Sequence, residues 1–117
     1  MLLTPETPSD RRVQKVLAIL ERDLVVDIGE LSKRVNLSPS RLEHLFKEQM
    51  GLALGNHVLQ CRLRTAAKLL QSTEMRIKEI AYVVGYEHPS NFMRAFKNKF
   101  GTTPSDHRRS LAKIANE

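Results

Sequence analysis

The feature that most constrains this chain is an internal repeat with a period close to 50 residues. At a spacing of 49, the sequence matches itself at Ile28 and Ile77, Glu30 and Glu79, and Val35 and Val84. At a spacing of 50, it matches at Phe46 and Phe96, Lys47 and Lys97, Gly51 and Gly101, and His57 and His107. The change of one residue falls in a turn, where an insertion shifts no buried face. The chain is therefore predicted to contain one structural unit twice.

Each copy predicts a short helix, a tight turn and a second amphipathic helix. In the first copy, the short helix opens at Asp27 and breaks at Asn36, and the second begins after the N-cap residue Ser38 with Pro39 in its first turn. Gly51 is predicted to end that helix in a left-handed conformation. The corresponding turn and stop residues of the second copy are Gly85, Tyr86 and Gly101. This pattern is typical of the helix-turn-helix motif.

Three further helices complete the prediction. One is capped by Ser9 or Asp10 and ends near Leu24, a linker helix runs from Asn56 to about Gln71, and a last helix starts at Pro104. The result is an all-α fold of about seven helices, in which a linker helix joins two helix-turn-helix units as a homeodomain-like pair. The predicted segments are a flexible leader or linker stub (1–8), the first unit (9–54), the linker helix (55–72), the second unit (73–112) and a tail (113–117).

The charge balance favours an anionic partner. Lysine and arginine outnumber aspartate and glutamate by 19 to 13, and the sequence pI is about 9.8. A positive surface field favours binding to nucleic acid, although a net charge of +6 also serves solubility alone, and charge by itself does not separate the two. The sequence has no apolar run long enough for a membrane span and no signal peptide, and its single cysteine, Cys61, predicts neither a disulfide nor a metal cluster. We expect a cytoplasmic, nucleoid-associated protein without cofactor or metal.

Residues 77 to 108, IKEIAYVVGYEHPSNFMRAFKNKFGTTPSDHR, resemble the signature segment of AraC-type transcription regulators. Residues 27 to 51 resemble the first helix-turn-helix of that family, and residues 62 to 70 resemble its linker helix. The resemblance implies two recognition helices in neighbouring major grooves of double-stranded DNA, and contact with RNA polymerase at a promoter. The departures from the family pattern are Asn36 in the first turn, Leu54 and Gly55 where a proline is common, and His107 where an aromatic residue is usual.

On the first recognition helix, the family positions assign base contacts to Ser40, Glu43 and His44. Glutamate can accept from a cytosine amino group and histidine can donate to guanine. Arg41 and Lys47 are predicted to contact phosphates. A solvated polar face remains an equal alternative for Glu43, because phosphates repel an unpaired carboxylate.

The second recognition helix presents residue types better suited to bidentate base contacts. Ser90, Asn91 and Arg94 are predicted to face bases, since arginine pairs with guanine and asparagine with adenine. The alternative for Arg94 is contact with phosphate alone. The predicted contacts to the DNA backbone are Arg62, Lys97, Lys99 and Arg108.

The predicted function is therefore sequence-specific binding to double-stranded DNA and regulation of transcription. The domain is predicted to be monomeric by itself. The alternative is a helix-turn-helix module that binds protein without reading DNA. An enzyme is disfavoured, because the sequence has no phosphate-binding glycine loop, no paired cysteines and no nucleophile with an adjacent base. The chain is either a whole small regulator or the DNA-binding part of a larger one.

Overall fold

The computed structural model describes residues 9–115, and the predicted leader at residues 1–8 lies outside them. Within the described part, every regular element is an α-helix, which confirms the predicted all-α fold of seven helices. The helices are α1 (Arg11–Arg22), α2 (Ile28–Arg34), α3 (Pro39–Met50), α4 (Leu54–Ser72), α5 (Ile77–Val83), α6 (Pro89–Phe100) and α7 (Pro104–Ala115).

Short polar side chains begin the first three helices. The carboxylate of Asp10 accepts from the backbone N–H of Arg12, and that of Asp27 accepts from the backbone N–H of Glu30, each at 2.8 Å. Ser38 accepts from the backbone N–H of Arg41 at 3.2 Å. These bonds satisfy amide groups that have no partner within a helix, so the sequence alone places these helix starts well.

Residues in the left-handed region end α3 and α6, the two predicted recognition helices. Gly51 (φ 71°) follows α3 and Gly101 (φ 77°) follows α6, as predicted. In the turn between α2 and α3, Asn36 also has a positive φ of 58°, and Gly85 has a φ of 103° between α5 and α6. Asparagine tolerates this conformation, so its departure from the family pattern leaves the turn intact.

Two predicted boundaries are wrong. Helix α4 starts at Leu54, two residues before the predicted cap Asn56. Leu54 is 1% exposed and belongs to the first hydrophobic core, so its burial extends the helix past the polar residue. Helix α7 continues to Ala115, so residues 113–115 of the predicted tail are helical, while residues 116–117 lie outside the described part.

The chain divides into two compact units between Cys61 and Arg62, within α4. The helix predicted as a separate linker therefore contributes its first half to one unit and its second half to the other. The first core contains Val13, Val16, Ile19, Leu20, Val26, Leu31, Val35, Leu42, Phe46, Leu54 and Val58. The second core contains Leu63, Ala66, Leu70, Ile80, Ala81, Val84, Phe92 and Phe96. Each fully buried leucine or phenylalanine stabilises its unit by about 1.5–3 kcal/mol.

The structural repeat is longer than the sequence repeat, whose matched positions run over residues 28–57 and 77–107. At a spacing of 50, the buried residues Val13, Val16 and Leu20 of α1 correspond to Leu63, Ala66 and Leu70 in the second half of α4. In each unit, a histidine ring also packs against the ring of a buried phenylalanine. The His57 ring lies 5.4 Å from that of Phe46, and the His107 ring lies 5.3 Å from that of Phe96, measured between centroids. His107 thus packs as the usual aromatic residue would.

Candidate nucleic-acid interface

Two grooves flank the outer face of α3. The α1-side groove is lined by Arg12, Leu37, Ser40, Arg41, His44, Leu45 and Glu48. The α4-side groove is lined by Ile28, Ser40, Glu43, His44, Lys47, Ala53, Leu54 and Gly55. Ser40 and His44 line both grooves, so they form the crest of α3 between them. A helix that enters the major groove presents such a crest to the base edges.

The outer face of α3 carries balanced charge. Arg41 and Lys47 are opposed by Glu43 and Glu48, and all four side chains are exposed. The Nε2 atom of His44 lies 3.8 Å from Oε2 of Glu48, one turn further along the helix. This face therefore has polar groups suited to base edges and little net attraction for phosphate.

The outer face of α6 is basic. Its charged residues, Arg94, Lys97 and Lys99, are all exposed, and its sequence contains no acidic residue. Ser90 and Asn91 are exposed in its first turn, whereas Phe92 and Phe96 are buried on the opposite face. The repeat spacing of 50 makes Ser90 equivalent to Ser40, Arg94 to His44 and Lys97 to Lys47. The two helices thus expose equivalent positions with different chemistry.

Arg62 and Arg108, both predicted to contact phosphates, are partly buried in the second unit. The guanidinium carbon of Arg62 lies 5.9 Å from the centroid of the Tyr86 ring. The Arg108 guanidinium donates to the backbone carbonyls of Leu70 (3.1 Å), Thr73 (3.2 Å) and Met75 (2.6 Å). These bonds give Arg108 a role inside the unit, where it ties α7 to the end of α4 and the segment before α5.

Two residues near the outer face of α3, Gln49 and Arg12, are not among the predicted site residues. Gln49 accepts from the backbone N–H groups of Ser9 (3.1 Å) and Asp10 (3.0 Å), which joins the start of α1 to α3. Arg12 lines the α1-side groove and pairs with Asp10. The repeat contained a signal for Arg12, because a spacing of 50 aligns it with Arg62.

Residues 9–115 contain no group of three or more His, Cys, Asp or Glu residues able to hold a metal ion. The prediction that no nucleophile has an adjacent base is wrong, because the Cys61 thiol lies 3.5 Å from Nε2 of His57, one turn earlier on the same helix. Burial raises the pKa of the Tyr86 phenol, partly offset by Arg62, and its hydroxyl is buried without a hydrogen-bond partner. No helix between residues 9 and 115 is long and apolar enough to cross a membrane.

Two helix-turn-helix units, each presenting a polar second helix, define a tandem helix-turn-helix domain. The family model described as "Helix-turn-helix domain" matches residues 31–110. The chain is 33% identical over 113 residues to the arabinose operon regulatory protein of Escherichia coli, a match covering 94% of this chain and 39% of that protein. It spans between 13% and 39% of the length of that regulator and three other curated relatives.

Solved structures share the fold. The C-terminal domain of AraT, a response regulator from Geobacillus stearothermophilus, superimposes with a TM-score of 0.79 at 30% identity, covering 86% of each chain. The DNA-binding domain of the global transcriptional factor AdpA, solved in complex with a target DNA, gives a TM-score of 0.83 at 21% identity, covering 91% of this chain and 97% of that one. The chain belongs to the AraC/XylS family of transcriptional regulators and corresponds to its DNA-binding domain.

Proposed function

We propose that this domain binds double-stranded DNA in a sequence-specific manner and regulates transcription, with α3 and α6 in neighbouring major grooves. The observation that carries the proposal is the exposure of all six predicted base-contacting side chains at the outer faces of two equivalent helices, whose opposite faces are buried. The six residues are Ser40, Glu43, His44, Ser90, Asn91 and Arg94. Family membership and the target DNA in the AdpA structure support the same function.

The side chains on α6 and α3 are suited to different base contacts. Arg94 and Asn91 can each make bidentate contacts, to guanine and adenine, worth about 1–3 kcal/mol of discrimination each. His44 can donate to guanine, and Glu43 can accept from cytosine. We assign the phosphate contacts to Arg41, Lys47, Arg62, Lys97 and Lys99. We leave Arg108 out of these contacts, because three of its guanidinium nitrogens donate to backbone carbonyls.

The family membership supports three further parts of the proposal. The domain acts in the cytoplasm on nucleoid DNA, it binds as a monomer when isolated, and the protein contacts RNA polymerase at the promoter. A two-hybrid or pull-down assay with purified RNA polymerase on promoter DNA tests the last part. Polymerase recruitment that is the same with and without the domain would contradict it.

The DNA-binding proposal can be tested by selecting bound duplexes of about 30 bp from a random pool at about 0.15 M salt. Two helices in successive major grooves on one face of DNA predict two enriched motifs about 10–11 bp apart. Arg94→Ala should abolish enrichment of one motif. Arg109→Ala is the matched control, because it removes the same charge from an exposed position on α7. Absence of any enriched motif would refute sequence-specific binding.

A protein-binding module is the second candidate, and one observation favours it. Tyr82 and Val83 are adjacent on α5 and are 49% and 54% exposed. Adjacent exposed apolar side chains are common at protein interfaces. A role confined to protein binding predicts duplex retention that depends on neither sequence nor salt. The five assigned phosphate contacts instead predict a slope of log affinity against log salt of about −4.5.

A further inference from the structure

We propose that Arg12, on α1, is an additional phosphate contact of the first unit, placed beside the crest of α3. This inference rests on the proposed DNA-binding function and extends its interface to a helix outside the helix-turn-helix pair α2 and α3. The ligand is a backbone phosphate of the same duplex that α3 would enter.

The position of Arg12 is the first observation. Its exposed side chain lines the α1-side groove together with Ser40 and His44, which form the crest of α3. When a recognition helix lies in the major groove, a sugar-phosphate strand runs along each of its flanks. A cation on the flank of α3 is therefore placed for phosphate, whereas the crest is placed for bases.

The side chain is also held in place. Arg12 donates to the Asp10 carboxylate through Nε (3.1 Å) and Nη2 (2.9 Å), a two-point pairing that fixes the guanidinium plane. The bonds from Arg12 lower the pKa of Asp10 to about 2. This pairing does not engage Nη1, which can donate to a phosphate oxygen. An arginine that is already oriented loses less conformational freedom on binding.

The repeat supplies an independent observation. A spacing of 50 aligns Arg12 with Arg62. Arg12 directly precedes Val13, the first buried residue of α1, and Arg62 directly precedes Leu63, the first buried residue of the second half of α4. Arg12 shares its groove with Leu37, the residue after the positive-φ position of the first turn. Arg62 lies over the ring of Tyr86, the residue after the equivalent position in the second turn. Both units thus carry an arginine at one equivalent place.

Local charge favours a phosphate contact from outside α3 in the first unit. Glu43 and Glu48 cancel the charges of Arg41 and Lys47 on α3, whereas α6 has no acidic residue. A helix with balanced charge gains little from counterion release by its own residues. Arg12 adds a donor to the same interface from a neighbouring helix, because Asp10 balances its charge within the ion pair while that pairing does not engage Nη1.

The test compares Arg12→Ala with Arg11→Ala, which removes the same charge from the adjacent exposed residue, one that does not line the groove. Binding of the full chain to a selected duplex is measured by fluorescence anisotropy across about 0.05–0.3 M salt. Loss of one phosphate contact should reduce the magnitude of the log–log slope by about 0.9 for Arg12→Ala, and the slope for Arg11→Ala should match wild type. Arg12→Lys should recover most of the slope.

Folding is controlled in the same samples. The bond that caps α1 comes from the backbone N–H of residue 12, so Arg12→Ala retains it, and melting temperatures should confirm this. If Arg12→Ala has a lower melting temperature than wild type, Arg12→Gln replaces it, because glutamine keeps more of the side-chain stem. Ethylation interference then maps the phosphate, since one interfering position should be lost for Arg12→Ala alone.

The outcomes separate the two proposals. If wild type shows no salt-dependent duplex binding, the DNA-binding function itself is refuted. If wild type binds and Arg12→Ala has the slope and interference pattern of Arg11→Ala, the assignment of Arg12 is refuted and the DNA-binding function stands.

Discussion

Replacing Arg108 by alanine should destabilise the second unit without removing a DNA contact. Three backbone carbonyls, from Leu70, Thr73 and Met75, would lose a charged donor. A bond to a charged donor is worth about 1.5–3 kcal/mol when buried, but these groups are only partly buried and water can replace part of each bond. At about 1 kcal/mol per bond, we expect a loss of about 3 kcal/mol in the free energy of unfolding.

Urea unfolding followed by tyrosine fluorescence measures this loss in the correct unit. The chain has no tryptophan, and its two tyrosines, Tyr82 and Tyr86, both lie in the second unit. Arg109→Ala is the control, since that side chain is 78% exposed and its pairing with Asp106 at 3.4 Å is worth less than about 0.5 kcal/mol. Arg108→Lys should fall between the two, because one ammonium group cannot reach all three carbonyls.

The same variant decides between the internal role and the phosphate contact that the sequence predicts. Under conditions where Arg108→Ala is fully folded, the internal role leaves the salt dependence of duplex binding unchanged. A phosphate contact would instead reduce the slope by about 0.9. Unfolding within about 0.5 kcal/mol of wild type, together with that reduced slope, would refute our reasoning.

Two further predictions concern the stability of the units. Tyr86→Phe removes a buried hydroxyl without a partner, so the free energy of unfolding should stay level or rise by up to about 1 kcal/mol; a decrease measured by urea unfolding would show that the hydroxyl makes a stabilising contact. Asp10 has a pKa of about 2 against an ordinary value of 3.8, so its charge stabilises α1 above about pH 4 and this contribution disappears as the pH falls to about 2. The melting-temperature difference between wild type and Asp10→Asn should be constant near neutral pH and close in that acid range, and a difference that persists at pH 2 would contradict this.

The sequence predicts most of the fold because the local signals agree with the packing. Asp27, Ser38, Gly51 and Gly101 mark helix ends through bonds and backbone angles that depend on neighbouring residues only. Asn56 misleads for the opposite reason, since the start of α4 is set by burial of Leu54 in a core formed by other helices. Cap signals lose to tertiary packing when the two disagree.

The outward faces of α3 and α6 follow from the apolar stripes, so the candidate base-contacting residues could be placed from the sequence. The partners of Arg12 and Arg108 could not, although the repeat aligns Arg12 with Arg62. The position of Arg12 depends on a groove between helices distant in sequence, and Arg108 donates to carbonyls 33 to 38 residues away. A basic side chain in a sequence does not reveal whether its partner is a phosphate or a distant carbonyl.

The division of the chain within α4 has a consequence for folding kinetics. Starting a helix is slow and unfavourable, whereas extending an existing one is easy. Val58 anchors the first half of α4 in one core and Leu63 anchors the second half in the other, so whichever unit folds first supplies a nucleated helix to its neighbour. Separated units would each have to nucleate their part of α4 alone, and we expect both to fold more slowly than the same residues do within the intact chain.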